Sequence, residues 1–347
     1  MRTLILGDIH LEDKYPGYLE AQSACIQKIV SSEQPDTVVF LGDIFQFRKP
    51  DPATLLALRK LLQELSNVNR VSKIILLRGN HDSTTKGDNN ITALSLFNDR
   101  KVKVVDQSEY LEDLNFVMIP HYEDELIIIK QLEAFKDFHD SNTVYFGHFG
   151  FEGCLNTAGD EDFKLSPKMF TNLTILGHIH KPRNEGHIIV LGTPYSTGFG
   201  EVDYKHHYAV LTRTSKGKPN LEFKDITHGP RYMALPLDAL EANKELINDR
   251  NYFTILRVLM SKLDGFDTVD LRKTLLEKYR IKYIDIKYIP LIDKKSAQSG
   301  YNTTELMTEL TEDIINKYIE EQRTSLPESE IRKGLELLKH EVAEDSN

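Results

Sequence analysis

Seven side chains able to ligate a metal follow five short apolar runs in this chain: Asp8 and His10, Asp43, Asn80, His148, and His178 with His180. A glycine directly precedes Asp8, Asp43, Asn80, His148 and His178. His10 and His180 each lie two residues beyond the first member of their pair, and in extended backbone residues i and i+2 face the same side. Each pair is therefore expected to aim both side chains into one pocket. Taken singly, a Gly-Asp or Gly-His is more often a turn than a ligand. Five runs ending in the same way argue for a metal centre. Two carboxylates, four imidazoles and one amide, with no thiolate, suit Mn²⁺, Fe²⁺ or Zn²⁺, with Mg²⁺ also accommodated, and argue against a structural zinc site. Two ions about 3.5–4 Å apart, bridged most naturally by Asp43, would clamp phosphoryl oxygens and activate a water. His81 and Asp82 stand outside the ligand count. His81 is expected to stabilise or protonate the leaving oxygen, with Asp82 fixing its tautomer; the alternative is a supporting hydrogen bond without proton transfer.

The elements that must carry these groups alternate in type. Thr3–Leu6, Thr37–Leu41, Ile74–Leu77, Thr143–Phe146 and Leu173–Leu176 read as buried strands. Ala21, Cys25, Ile29 and Val30 predict a helix around Tyr18–Val30, and Leu55, Leu58, Leu62 and Leu65 another, opened by Pro50 and Asp51. Further helices are expected near Ile91–Phe97 and Leu126–Phe138, and strands at Val102–Val105 and Phe116–Ile119. His187–Leu191, His207–Thr212 and Leu221–Ile226 are expected to finish this core as an antiparallel tail. The alternation indicates a layered α/β domain over 1–228, with ligands at the carboxyl edges of its strands.

The pattern changes at Gly229-Pro230. Phe253–Leu259 and Ile281–Ile289 read as strands around a helix capped by Asp267, which makes 229–290 a small α+β domain. Residues 291–302 lose all periodicity and read as a linker. A helical pair follows in 303–347. Its first helix carries Leu306, Leu310 and Ile314, and its second, opened by Ser325 with Pro327 and Glu328, carries Ile331, Leu335, Leu338 and Val342. Two apolar stripes behind a linker resemble a helix-in-groove ligand, although packing back on the core is the plainer alternative.

Composition sets wide bounds. The chain has 347 residues, 40% hydrophobic and 28% charged, with two cysteines, Cys25 and Cys154. No apolar run reaches the roughly 18 residues of a membrane span, no signal peptide is evident at the start, and an intracellular, cytoplasmic setting is expected. The net charge is −10. Residues 302–347 hold five Lys/Arg and twelve Asp/Glu, so the remainder is close to neutral and a nucleic-acid partner stays open.

Asp8-Ile-His10, Gly42-Asp43, Gly79-Asn80-His81-Asp82, Gly147-His148 and Gly177-His178-Ile-His180 resemble, in order, the motifs of the calcineurin-like metallophosphoesterases. The resemblance spans about residues 1–225. It implies a four-layer α-β-β-α sandwich, with Asp8, His10, Asp43 and His180 around one metal and Asp43, Asn80, His148 and His178 around the other. Within that superfamily, Phe47-Arg48-Lys49-Pro50 after the second motif and Gly192-Thr-Pro through Phe199-Gly200-Glu201 resemble segments of the SbcD-type DNA-repair nucleases. The layout is similar to that of the recombination endonuclease subunits of large tailed phages, which would place the chain in a host cytoplasm. The resemblance implies a Mn²⁺-dependent double-strand exonuclease and single-strand endonuclease, a homodimer whose 229–290 domain caps DNA. It also implies C-terminal helices docked on an SMC-like coiled-coil ATPase. Many relatives carry a histidine where Gln46 stands, which puts the exonuclease rate or preference in doubt. Gln46, Arg48, Lys49, Lys181 and Arg183 are the candidate DNA contacts. The rival readings are a small-molecule phosphodiesterase or phosphatase of the same superfamily and a metal-free binding scaffold. His121 and the His206-His207 pair carry only weak signals.

Overall fold

A computed structural model describes residues 1–86, 91–136, 140–213, 218–261 and 267–289. The expected linker and C-terminal helical pair lie outside the described residues. Met1–Val258 with Asp267–Ile286 form one compact unit. Leu259–Phe266 and Lys287–Asn347 group separately, and of these the structure describes only the strand ends at 259–261 and 287–289.

In chain order the first half contains β1 (Arg2–Leu6), α1 (Tyr18–Glu33), β2 (Thr37–Phe40), α2 (Pro52–Ser66), β3 (Lys73–Leu77), β4 (Val102–Val105), β5 (Glu109–Leu111), β6 (Phe116–Ile119) and α3 (Glu125–Phe135). Then come β7 (Val144–His148), β8 (Thr174–Gly177), β9 (Arg183–Glu185), β10 (Ile188–Val190), β11 (His207–Thr212) and β12 (Asn220–Asp225). The last described elements are β13 (Gly229–Pro236), α4 (Lys244–Ile247), β14 (Tyr252–Ser261), α5 (Thr268–Lys278) and β15 (Tyr283–Ile289). One six-stranded sheet has the order β12-β11-β1-β2-β3-β4, a second β5-β6-β7-β8-β10-β9, and a three-stranded sheet β13-β14-β15.

The apolar runs are continuous because both faces of the central strands are buried. Leu4, Leu6, Val38, Phe40, Ile74 and Leu76 pack with Ile26, Ile29, Leu58 and Leu62 of the helices. The alternate residues Ile5, Val39, Leu41, Ile75 and Leu77 meet Phe116, Met118, Phe146 and Ile175 of the second sheet. The outer face of that sheet packs Val117, Tyr145 and Leu176 against Ile128 and Leu132 of α3. Each such side chain contributes about 1.5–3 kcal/mol by leaving water. This is the expected sandwich of two mixed sheets between helices.

Local chemistry sets the boundaries. Asp51 caps α2 by accepting from Thr54 N, and Pro52 occupies the first turn, where a missing N–H costs nothing. Asp267 caps α5 in the same way, accepting from Val269 N and Asp270 N. The helix expected at Ile91–Phe97 is a 3₁₀ turn over Ala93–Phe97, started by Thr92. Two short strands, β5 and β9, and the longer β13 were not legible as strands. Because β9 runs antiparallel to β10, the chain has already reversed when β10 begins. Hence β10 lies parallel to β8, and only β11 and β12 form the expected antiparallel tail. No helix among the described residues is long and apolar enough to cross a membrane.

Candidate metal centre

Strands β1, β2 and β3 run parallel in one sheet, and β7 and β8 run parallel in the other. The segments leaving their carboxyl ends bring all seven predicted ligands together. Glycine is needed for close approach: a Cβ on Gly79 would overlap Asp43 Oδ1, and one on Gly177 would overlap Asp8 Oδ1. The pairs do not converge through a simple strand pleat, as their spacing suggests. His10, Asp43 and His178 have φ of 41°, 47° and 78°, so the chain turns through the left-handed region at each. Such residues cost about 1–3 kcal/mol each and persist where their surroundings over-determine them.

Hydrogen bonds on the side turned away from the centre fix three of the four rings, those of His148, His178 and His180. His148 Nδ1 lies 2.6 Å from Leu41 O. A carbonyl only accepts, so Nδ1 carries the proton and Nε2 presents a lone pair. His178 Nε2 lies 3.2 Å from Asp162 Oδ2, which leaves Nδ1 as its free lone pair. His180 Nδ1 lies 2.5 Å from Glu201 Oε1, freeing Nε2 in turn. The inward nitrogens of these three rings are consequently acceptors. Asn80 Oδ1 is 3.0 Å from both His148 Nε2 and His178 Nδ1. His180 Nε2 is 3.0 Å from His10 Nε2, and the buried Nδ1 of His10 has no hydrogen-bond partner among the described residues. Asp43 Oδ1 lies 3.3 Å from His148 Nε2, and Asp43 Oδ2 lies 3.7 Å from His10 Nε2. One carboxylate thus turns an oxygen to each group. Lone pairs facing one another at these distances repel unless a cation sits among them, so the donor set fits divalent metal. Donor atoms of Asp8, His10 and His180, of Asp8, Asp43 and His148, and of His10, Asp43 and His81 each fall within 4.8 Å of one another.

Burial prepares the same groups. It holds the His10, His148 and His178 rings below the usual imidazole range, so they are neutral and free to ligate. Burial and then the neighbouring Asp43 charge raise Asp8 well above a normal carboxyl. Burial would raise Asp43 too, but the adjacent His148 and His81 rings draw it well below. Two buried carboxylates in opposition are what a cation relieves.

Asp82 does not orient His81. Its Oδ1 accepts from Ile44 N at 3.0 Å and Phe45 N at 3.1 Å, and its Oδ2 accepts from Gly79 N at 2.9 Å. It pins the segment after β2 to the segment after β3, and burial with the nearby Asp43 pushes it up to about 7. The main-chain carbonyl of Gln46, 2.5 Å from His81 Nδ1, orients the ring instead. His81 Nε2 then faces Asp43 Oδ2 at 4.0 Å, with 36% of the side chain exposed. Two of the cations chosen as DNA contacts are committed elsewhere. Arg48 donates to the carbonyls of Ser83 and Thr85, and Arg183 pairs with Glu185 and donates to Gly153 O. Lys49 and Lys181 are exposed.

Sequence reasoning gave no role to Asp162 or Glu201, or to Gln22, whose amide holds the His10 carbonyl at 2.8 Å. Glu201 had a signal, since it ends the Phe199-Gly200-Glu201 stretch. Asp162 had none. His121 is buried beside the centre, its Nδ1 3.3 Å from His148 O. Arg78 is fully buried and joins the end of β3 to Ser83 Oγ and His121 O.

Residues 1–182 match the calcineurin-like phosphoesterase family, and the chain belongs to it. The family supports a metal-dependent phosphoester hydrolase. Among curated proteins the chain is similar to the D subunit of the nuclease SbcCD from Staphylococcus epidermidis, 24% identical over 213 residues, covering 52% of this chain and 56% of that one. The chain thus spans about half the length of the curated relative it matches. Among solved structures it is similar to Pseudomonas putida nuclease MPE at 26% identity, covering 35% of this chain and 55% of that one, with a TM-score of 0.26. It is also similar to TT1561 of Thermus thermophilus at 13% identity, covering 65% of this chain and 98% of that one, with a TM-score of 0.39.

Proposed function

We propose that this chain is a Mn²⁺-dependent DNA nuclease, cutting duplex ends as an exonuclease and single strands as an endonuclease. It would serve as the homodimeric nuclease subunit of a complex with an SMC-like ATPase. Likeness over 213 residues to a nuclease subunit supports DNA as the substrate. Asp8, His10, Asp43 and His180 would hold one ion, and Asp43, Asn80, His148 and His178 the other. When bound, the ions supply Lewis acidity at the phosphoryl group and an activated water.

The chain's own residues do the rest. Leu41 O, Asp162 and Glu201 hold three rings with their lone pairs inward. Asp82 ties together the two segments that carry Asp43 and Asn80. His81 is the motif imidazole left open to solvent outside these two sets, and its Nδ1 proton is already spent on Gln46 O. Its Nε2 would carry a proton to the leaving 3′ or 5′ oxygen. With an amide at Gln46, no second motif imidazole outside the two sets would share that task. Lys49 and Lys181 would meet phosphates beside the centre, and the C-terminal helices would meet the ATPase.

The test is a substrate panel with Mn²⁺-loaded protein: linear duplex, DNA hairpin, cyclic nucleotides and simple phosphoesters. Cleavage of both DNAs is expected. Turnover of the small esters alone would move the function to a small-molecule phosphodiesterase.

A further inference from the structure

The three-stranded sheet meets the core through aromatic rings, and two of the ligand histidines are fastened to that seam. On the core side, Tyr15 lies in the loop between His10 and α1, and Tyr18 opens the helix. Tyr283 of β15 stacks on Tyr15, ring centroids 4.1 Å apart at 30°, and Tyr232 of β13 meets Tyr18 edge-on at 6.4 Å. Tyr18 and Tyr232 are buried. One helical turn beyond Tyr18, on the same face of α1, Gln22 holds the His10 carbonyl at 2.8 Å.

The second fastening runs through Phe199. Its ring meets the Tyr232 ring edge-on at 4.9 Å, and the guanidinium carbon of Arg257, on β14, lies 3.8 Å from its centre. That is well inside the roughly 6 Å reach of a cation–π contact. Asp285 Oδ2, 2.6 Å from Arg257 Nε, keeps the guanidinium in place. Gly198 and Gly200 flank Phe199, and a Cβ added at either would meet nothing within 4 Å. Glycine lends the backbone little stiffness, so the Phe199 ring anchors this turn. Glu201, which holds His180, ends the same 3₁₀ turn. The bonds from Thr197 to Glu201 lie within this segment and travel with it. His148 and His178 are held from elsewhere, by Leu41 O at the end of β2 and by Asp162 between β7 and β8. Resting on the two-ion reading, we propose that the aromatic seam positions the ligands of one ion and not those of the other. Arg257 and Phe199 are positioning residues for the ion held by Asp8, His10, Asp43 and His180. Displacing the three-stranded sheet would reach that ion and spare its neighbour.

The experiment measures Mn²⁺ binding by calorimetry in two backgrounds of the full chain, each keeping one ion. Asn80→Ala spares the set containing His10 and His180, and His180→Ala spares the other. Arg257→Met keeps the length of the side chain and removes its charge. In the Asn80→Ala background it should weaken binding about 3–10-fold, less than the roughly 10–100-fold typical of groups bonded directly to a ligand. In the His180→Ala background the change should stay under about twofold, as for independent sites. Arg257→Lys puts a cation back over the ring and should return the affinity to within about twofold. Should either background bind no ion, the comparison is read from the two steps of the isotherm without it, of which one alone should shift. Weakening of both ions alike would mean a general loosening, and weakening of neither would make the contact incidental. Each result overturns the proposal and leaves the two-ion reading standing. Wild-type protein that takes up no Mn²⁺ removes both.

Discussion

At the residue scale, the centre divides into atoms that face inward and atoms that hold them there. Asn80 and His81 are adjacent yet differ in surroundings: Asn80 Oδ1 lies among ring lone pairs, whereas His81 Nε2 faces Asp43 Oδ2 at 4.0 Å from a side chain that is 36% exposed. Asn80→Ala should lose about one equivalent of metal, measured by elemental analysis after gel filtration. His81→Ala should keep both equivalents and lose about 10²–10⁴-fold in kcat. Equal metal loss in the two variants would put His81 among the ligands. Glu201→Gln and Asp162→Asn leave every inward atom in place but weaken the acceptors behind His180 and His178. Supporting groups of this kind tune metal affinity by about 10–100-fold, so Mn²⁺ titration calorimetry should show weakening in that range for both variants. An unchanged isotherm would make these contacts incidental.

At the element scale, the end of α1 is fastened to the first sheet by one carboxylate. Glu33 accepts from Tyr208 Oη at 2.6 Å and Lys224 Nζ at 3.0 Å, and from Arg2, thereby joining α1 to β11, β12 and β1. Burial works against its charge, but these three donors outweigh it and hold Glu33 below the usual carboxylate range. A carboxyl whose folded value is depressed stabilises the fold above its unfolded value of about 4.5 and loses that contribution as pH falls through the folded value. Glu33→Gln should therefore destabilise the protein by about 1–2 kcal/mol at pH 7. Its urea midpoint should converge on that of wild type in acid below pH 4.5. A gap that persists in acid would mean that the loss is one of packing rather than charge.

At the scale of the whole molecule, metal should act as a clamp between the sheets, since its ligands come from β1, β2 and β3 on one side and β7 and β8 on the other. Metal that binds only the folded state adds about 2.7 kcal/mol at a hundredfold excess over Kd. The melting temperature should accordingly rise with Mn²⁺ and fall back on chelation. Because His10, His148 and His178 sit below the ordinary imidazole value of 6.5, protons should compete for the rings only under that pH. The Mn²⁺-dependent rise should hold at pH 7 and shrink in more acid buffer. A melting temperature indifferent to Mn²⁺ would show that the two sheets need no such clamp.

Much of this was legible from sequence because it is local. An apolar run of four or five residues followed by glycine and a ligating side chain marks a strand, its end and its chemistry within a short window. All seven inward residues came from that reading, as did the layers and the caps at Asp51 and Asp267. The partners that fix the rings are not local. Leu41 O lies 107 residues from His148, and Glu201 lies 21 from His180. Asp82 had the right spacing to hold His81, yet its oxygens went to three backbone N–H groups that only the folded β2–β3 edge brings within reach. The left-handed turns at His10, Asp43 and His178 and the reversal at β9 share that origin. Type and order of the ligands are properties of the chain, whereas the proton each ring carries, and the direction it faces, depend on which backbone the fold sets behind it.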